Sequence, residues 1–318
     1  MKLDYKLNRH TLPHNFRWFA YALVAILCFF PFITAPIALF LGLVLTLTLG
    51  IPDPGINKKA SKYLLQISVV GLGFGMNLID SLQAGSEGML FTLVSVTGVL
   101  FAGVLAGKWM GVDKVPSYLI ASGTAICGGS AIAAVGPIAK ANESEMSVSL
   151  ATIFILNAIA LFIFPAMGHW LGLSQQQFGL WAAIAIHDTS SVVGAGATYG
   201  EEALLVATTV KLTRALWIIP LSVFSIFYFN ARGEKISVPW FIFLFIAAML
   251  MNTYLPLPAL LTSNIVVVAK KLLTLTLFFI GAGLSRETLR AAGFRPLILG
   301  ISLWLMIGLM SLGFIYFG

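Results

Sequence analysis

The chain has little charge. Only 10% of its 318 residues are Asp, Glu, Lys or Arg, against 59% apolar residues and a mean hydropathy of +0.96. So few charges cannot cover the surface of a water-soluble chain of this length, so the surrounding solvent is read as largely lipid. No stretch is polar enough for a separate soluble domain, which leaves one integral membrane domain over 18–318 behind a short segment, 1–17. Cysteine is nearly absent: Cys28 and Cys127 lie far apart in apolar surroundings, with no CxxC or Cys/His spacing for a metal site or a disulfide framework. There is no HExxH, no GxSxG and no pair of intramembrane aspartates, so an intramembrane enzyme lacks its residues. A receptor lacks a soluble sensing domain. The reading is of a non-enzyme without cofactor or metal.

Acidic residues are the scarcer sign, 12 against 19 Lys and Arg. A net charge of +7 would suit nucleic acid, but the placement of the basic residues points to a membrane instead. Apolar stretches of spanning length fall at 18–34, 36–50, 62–80, 88–107, 117–139, 147–170, 178–200, 203–229, 239–256, 266–285 and 297–317, an expectation of eleven crossings, with an error of one. With the N-terminus inside, fourteen of nineteen basic residues fall on the cytoplasmic side: Lys2, Lys6, Arg9, Arg17, Lys58, Lys59, Lys62, Lys108, Lys114, Arg232, Lys235, Arg286, Arg290 and Arg295. The opposite loops hold only Lys140, beside Asp80, Glu87, Glu143, Glu145, Glu201 and Glu202. The positive-inside rule then gives a multi-pass protein of the plasma (inner) membrane with a cytoplasmic N-terminus. Pro36 after Thr34 and Ala35 makes a poor signal-peptide cleavage site, so the first helix is expected to stay.

Internal repetition is weak. Residues 61–77 align with 269–285, sharing Lys62/Lys270, Leu64/Leu272, Leu65/Leu273, Gly73/Gly281 and Gly75/Gly283. Inverted repeats would explain the match, and so would chance in an apolar alphabet with glycines serving close packing. Two other stretches, 121–137 and 187–200, crowd glycine, serine and threonine into a crossing. Backbone freed at membrane depth is tolerated only in protein or along a cavity, so both are expected to be broken helices; tight packing is the alternative.

Ionisable residues in the hydrocarbon mark function by default, which singles out His187, Asp188, Lys211 and Arg214. Counting along the spans puts Asp188 at about 15 Å depth, and Lys211 and Arg214 at about 12 and 16 Å from the opposite face, so they converge near the midplane. They form either a buried ion cluster that only holds helices together or a site with a surplus positive charge for an anion. Asn157 is polar at mid-depth and reads as an interhelical hydrogen bond; Lys270 and Lys271 read as interface anchors, and Glu201 and Glu202 as a solvated helix start.

Three stretches, TAICGGSAIAAVGPI (124–138), HDTSSVVGAGATYG (187–200) and VKLTRALWIIPLS (210–222), resemble the signature of the YeiH-type sulfate exporter family of bacterial inner-membrane proteins. The likeness runs from about residue 20 onward. It implies roughly ten to eleven helices, a distant relation to the cation/proton antiporter and bile-acid transporter group with inverted repeats and broken helices, and sulfate or small sulfonates as cargo. The expected function is alternating-access transport of a small anion. Backbone N–H groups of Gly128, Gly129 and Ser130, the flanking Thr124 and Cys127, the hydroxyls of Thr189, Ser190 and Ser191, and the cations Lys211 and Arg214 are the candidate ligands. Asp188 is expected to orient the cations, and His187 is the candidate for a coupling proton because imidazole titrates near neutral pH. The rival is an H⁺- or Na⁺-coupled carrier with Asp188 and His187 as the cation site; a channel is a further alternative. The bilayer is the one certain partner, and a homodimer is left open.

Overall fold

The computed structural model describes residues 14–79, 89–231, 240–284, 290, 291 and 293–317. Most of the expected cytoplasmic segment 1–17 lies outside these, as do Asp80, Glu87, Arg232, Lys235 and Arg286. The described residues are helical throughout: α1 (His14–Leu27), α2 (Ala35–Leu49), α3 (Pro54–Gly73), α4 (Met89–Met110), α5 (Lys114–Ala125), α6 (Gly129–Ile138), α7 (Glu143–Trp170), α8 (Gln175–Ala185), α9 (Thr189–Tyr199), α10 (Glu201–Ala215), α11 (Ile218–Tyr228), α12 (Trp240–Tyr254), α13 (Ala259–Gly283) and α14 (Phe294–Phe317). Five runs are long and apolar enough to cross a membrane: α4, α7, α10 continued through α11, α13 and α14. Pro220 follows the turn between α10 and α11, where it withholds an N–H from the ladder.

The expectation that 117–139 and 178–200 each cross is corrected by their packing. The arms α5 and α6 form a hairpin that enters and leaves on one side. Helix α5 runs parallel to α7, with Gly123 beside Ile153, whereas α6 runs back antiparallel, with Gly129 beside Phe154 and Gly136 against Met146. A cavity of about 240 Å³ is lined by Asp113 and Pro116 together with Ser144, Glu145 and Val148, so the foot of α5 lies beside the start of α7, just after α6 ends. Helices α8 and α9 form a second hairpin. Phe178 near its start stacks on Tyr199 at its end, ring centroids 3.8 Å apart, and Gln175 Oε1 accepts the Glu202 N–H at 3.1 Å. At about 1.5 Å per residue, arms of ten to twelve residues reach only ~15–18 Å, half a hydrocarbon core.

The hairpins enter from opposite sides, because α7 carries the chain between them. Contacts sort the remaining ends. One side gathers Gly50 beside Arg17, Asn57 bonded to the Phe279 carbonyl, Arg295 beside Gly111, and Lys114 over the Tyr228 ring. The other gathers Leu78 bonded to Thr253 and Tyr316 bonded to the Leu171 carbonyl. Lys140 therefore falls on the side of Lys114 and Arg295, not opposite them as expected.

Helices α2, α3, α12 and α13 pack as a scaffold. The two segments of the weak repeat lie in α3 and α13, which run antiparallel in contact: a Cβ on Gly71 would lie 2.8 Å from that of Ala269. Gly73 and Gly281 do the close packing that their lack of a side chain permits, against the carbonyls of Phe245 and Leu39.

Candidate functional site

The first break follows from glycine. Helix α5 stops at Ala125, and Gly128 takes φ +64, ψ −126, a backbone region closed to side-chain-bearing residues, while its N–H returns to the Gly123 carbonyl at 2.8 Å. Helix α6 then starts with no side-chain cap. The second break uses a different device. Ile186 is extended, and Asp188 caps α9 by accepting the Ser190 N–H at 3.0 Å and the Ser190 hydroxyl.

The tips meet: a Cβ on Gly128 would lie 3.2 Å from Asp188 Cα. Around this junction four freed backbone groups find partners on crossing helices. Arg214 Nη2 donates to the Ala125 carbonyl at 2.7 Å, while its Nη1 donates to Ser95 at 3.1 Å and Thr92 at 3.4 Å on α4. Lys211 Nζ donates to the Ile186 carbonyl at 2.8 Å. Both cations are 0% exposed. They sit at half-helix C-termini, where the helix dipole places about half a negative charge and favours a cation. Asn157 Oδ1, from α7, accepts the N–H groups of His187 and Asp188, each at 3.1 Å.

All expected site residues are thus at or beside one junction. Thr124 ends α5, Cys127 and Gly128 form the first tip, Gly129 and Ser130 open α6, and Thr189, Ser190 and Ser191 open α9. Ser130 is exposed, whereas the three α9 residues are buried. One expected link differs: Asp188 forms no ion pair with Lys211 or Arg214, because its carboxylate is turned to Ser190 and the cations to carbonyls. The ion pair found among the described residues is Lys270 to Glu201, 2.7 Å, on the surface. It ties α13 to α10 at the exposed helix start where Glu201 and Glu202 were expected.

The charge balance survives this change of partners. Two half-helix C-termini and two N-termini meet, so their dipole charges of about half a unit each cancel. Two cations and one carboxylate leave a formal surplus of one positive charge.

Sequence reasoning set Asn157 aside and passed over Thr92 and Ser95. A repeat was there to find the first. Ala125/Ala185, Ile126/Ile186, Ser130/Ser190 and Gly136/Gly196 recur at an offset of 60, and Glu145/Glu202, Thr152/Thr209 and Ala158/Ala215 at 57. The second spacing matches Asn157 with Arg214, and each reaches the tip of the other unit's hairpin. Thr92 and Ser95 carry no such signal, since a hydroxyl in an apolar helix ordinarily bonds its own backbone.

The family described as conserved hypothetical protein 698 matches residues 18–300. A UPF0324 membrane protein of Bacteroides thetaiotaomicron is 58% identical over 96% of this chain and 98% of its own length. One of Porphyromonas gingivalis is 57% identical over 90% and 89%, and one of Photobacterium profundum 47% over 92% and 90%. No solved structure matches. With a family match over most of its length and relatives named as membrane proteins, the chain belongs to the conserved hypothetical protein 698 family of membrane proteins.

Proposed function

We propose that the chain is a secondary transporter that works by alternating access at the junction of its two hairpins. The observation that carries this is two half-depth hairpins, inserted from opposite sides, whose tips touch beside two buried cations. Each hairpin closes the path from the junction to its own side, so opening them in turn exposes one site alternately. The side that gathers Arg17, Lys114, Lys140 and Arg295 is cytoplasmic by the positive-inside rule, which sets the chain in the plasma (inner) membrane with its N-terminus inside. In this reading nine helical runs cross and the two hairpins do not.

The surplus positive charge and the uncapped start of α6 favour a small anion as cargo. Sulfate or a small sulfonate, carried outward, is the specific cargo suggested by the resemblance to the exporter family. The test is counterflow into proteoliposomes: labelled sulfate or sulfonate should accumulate against an unlabelled internal pool and saturate, and Arg214→Ala should abolish it. Uptake that neither saturates nor responds to internal substrate would point to a channel.

A second reading rests on Asp188, the carboxylate at the junction, which is only partly buried. It makes the site one for H⁺ or Na⁺ coupled to another solute. In that case thermal stabilisation by Na⁺ or pH alone should disappear in Asp188→Asn and persist without any anion.

A further inference from the structure

We propose that Thr124, Asn157, His187 and the Nε of Arg214 form a donor-rich oxyanion subsite at the hairpin junction. This rests on the transporter reading and specifies how that site holds its ligand. Among the described residues nine buried side-chain polar atoms lack a hydrogen-bond partner, and five of them belong to these four residues: Thr124 Oγ1, Asn157 Nδ2, both ring nitrogens of His187, and Arg214 Nε. None of the four residues is more than 4% exposed. Buried polar atoms are nearly always paired, so five orphans at one junction mark a place shaped for a ligand rather than for packing.

Their positions are tied to one another by bonds already described. The Asn157 amide is oriented by the two N–H groups that its oxygen accepts, which leaves its nitrogen as the free end. Thr124 precedes the carbonyl that holds Arg214, and His187 follows the carbonyl that holds Lys211. Lys211 Nζ holds one of those carbonyls, and the outer nitrogens of Arg214 hold the other together with Thr92 and Ser95. They supply field, and the orphan atoms supply contact.

Counting hydrogens gives the ligand class. The Asn157 amide offers two, Arg214 Nε one, the Thr124 hydroxyl one and a neutral imidazole one, against two acceptors, the hydroxyl oxygen and one ring nitrogen. The complementary ligand is rich in acceptors and compact: an oxyanion stripped of water. A hard cation such as Mg²⁺ or Ca²⁺ needs several oxygens, and among these five unpaired atoms there is one, Thr124 Oγ1.

Two substitutions separate ligand contact from structure. Asn157→Asp keeps an oxygen for the His187 and Asp188 N–H groups but replaces the amide donor with an acceptor. Thr124→Val removes the hydroxyl and keeps the shape. The full-length protein, purified in detergent, is melted across titrations of sodium sulfate and sodium methanesulfonate, with sodium chloride at matched ionic strength as reference. Wild type should show saturable stabilisation by at least one oxyanion salt. Asn157→Asp should weaken its apparent affinity at least about tenfold. Thr124→Val should weaken it about threefold or more while its ligand-free melting temperature stays or rises, because the lost hydroxyl had no partner. A purely structural role would instead lower the ligand-free melting temperature and leave affinity intact. Wild-type oxyanion affinity in Thr124→Val and in folded Asn157→Asp would overturn the subsite while leaving the transporter reading standing. Wild type that responds to sodium or pH but to no oxyanion would remove the anion reading and the subsite with it.

Discussion

The two hairpins share an architecture and differ in how their tips are finished. The first turns on a left-handed glycine, leaves the start of α6 uncapped and presents Ser130 to its surroundings. The second turns through extended residues, caps α9 with Asp188 and buries the hydroxyls behind it. One helix serves both: α10 sends Arg214 to the carbonyl end of the first hairpin and Lys211 to that of the second. Buried cations are here committed to helix ends rather than to the nearest carboxylate. What then attracts an anion is the net field together with the donors left over.

That contrast can be broken one tip at a time. The largest effect is expected from Arg214→Ala, which strips partners from Ala125, Ser95 and Thr92 at once. It should cost on the order of 3 kcal/mol, seen as a lower melting temperature in detergent and faster hydrogen exchange confined to 114–138. Lys211→Met removes one charged hydrogen bond and should cost about 2 kcal/mol, with the faster exchange confined to 175–199. Asn157→Ala frees two N–H groups of the second tip and should cost about 1–2 kcal/mol, again sparing the first hairpin. Asp188→Ala should cost about 1 kcal/mol as a lost cap, whereas Asp188→Asn, which can still accept from Ser190, should cost a few tenths.

The smallest effect is expected at Glu201. Its hydrogen bond to Lys270, helped by that ammonium's charge, holds its carboxyl below the ordinary carboxylate range. A depressed value means the pair adds stability above the ordinary value and loses it as pH falls through the lowered one. With Glu201 side chain 91% exposed, solvent screens this contribution. Glu201→Gln should therefore leave the melting temperature unchanged through the acid range.

Membrane class, both breaks and the ionisable and small residues of the junction were legible in the sequence, because sparse charge, buried ionisable residues and Gly/Ser-rich stretches each carry a local signal. The hairpins were not. A run of about 23 apolar residues reads alike whether it crosses once or descends and returns, since hydropathy records depth in lipid and not direction. Lys140 held the clue: it was the sole basic residue on the wrong side of an eleven-crossing chain, and turning 114–138 back on itself places it with Lys114 and Arg295. The partners of Lys211 and Arg214 were illegible for a different reason. A charge invites pairing with the nearest opposite charge in sequence, while the carbonyl ends they hold appear only once the helices are known to break at Ala125 and Ala185.

The transport site requires two hairpins meeting from opposite sides, and sided labelling tests this most directly. Single cysteines at Asp113, Glu143, Gln176 and Glu202 would be reacted with a membrane-impermeant maleimide in vesicles of known orientation. The fold predicts that Asp113→Cys and Glu143→Cys label from one side, and Gln176→Cys and Glu202→Cys from the other. Labelling of either pair from opposite sides would mean that its segment crosses the membrane, and the junction described here would not exist.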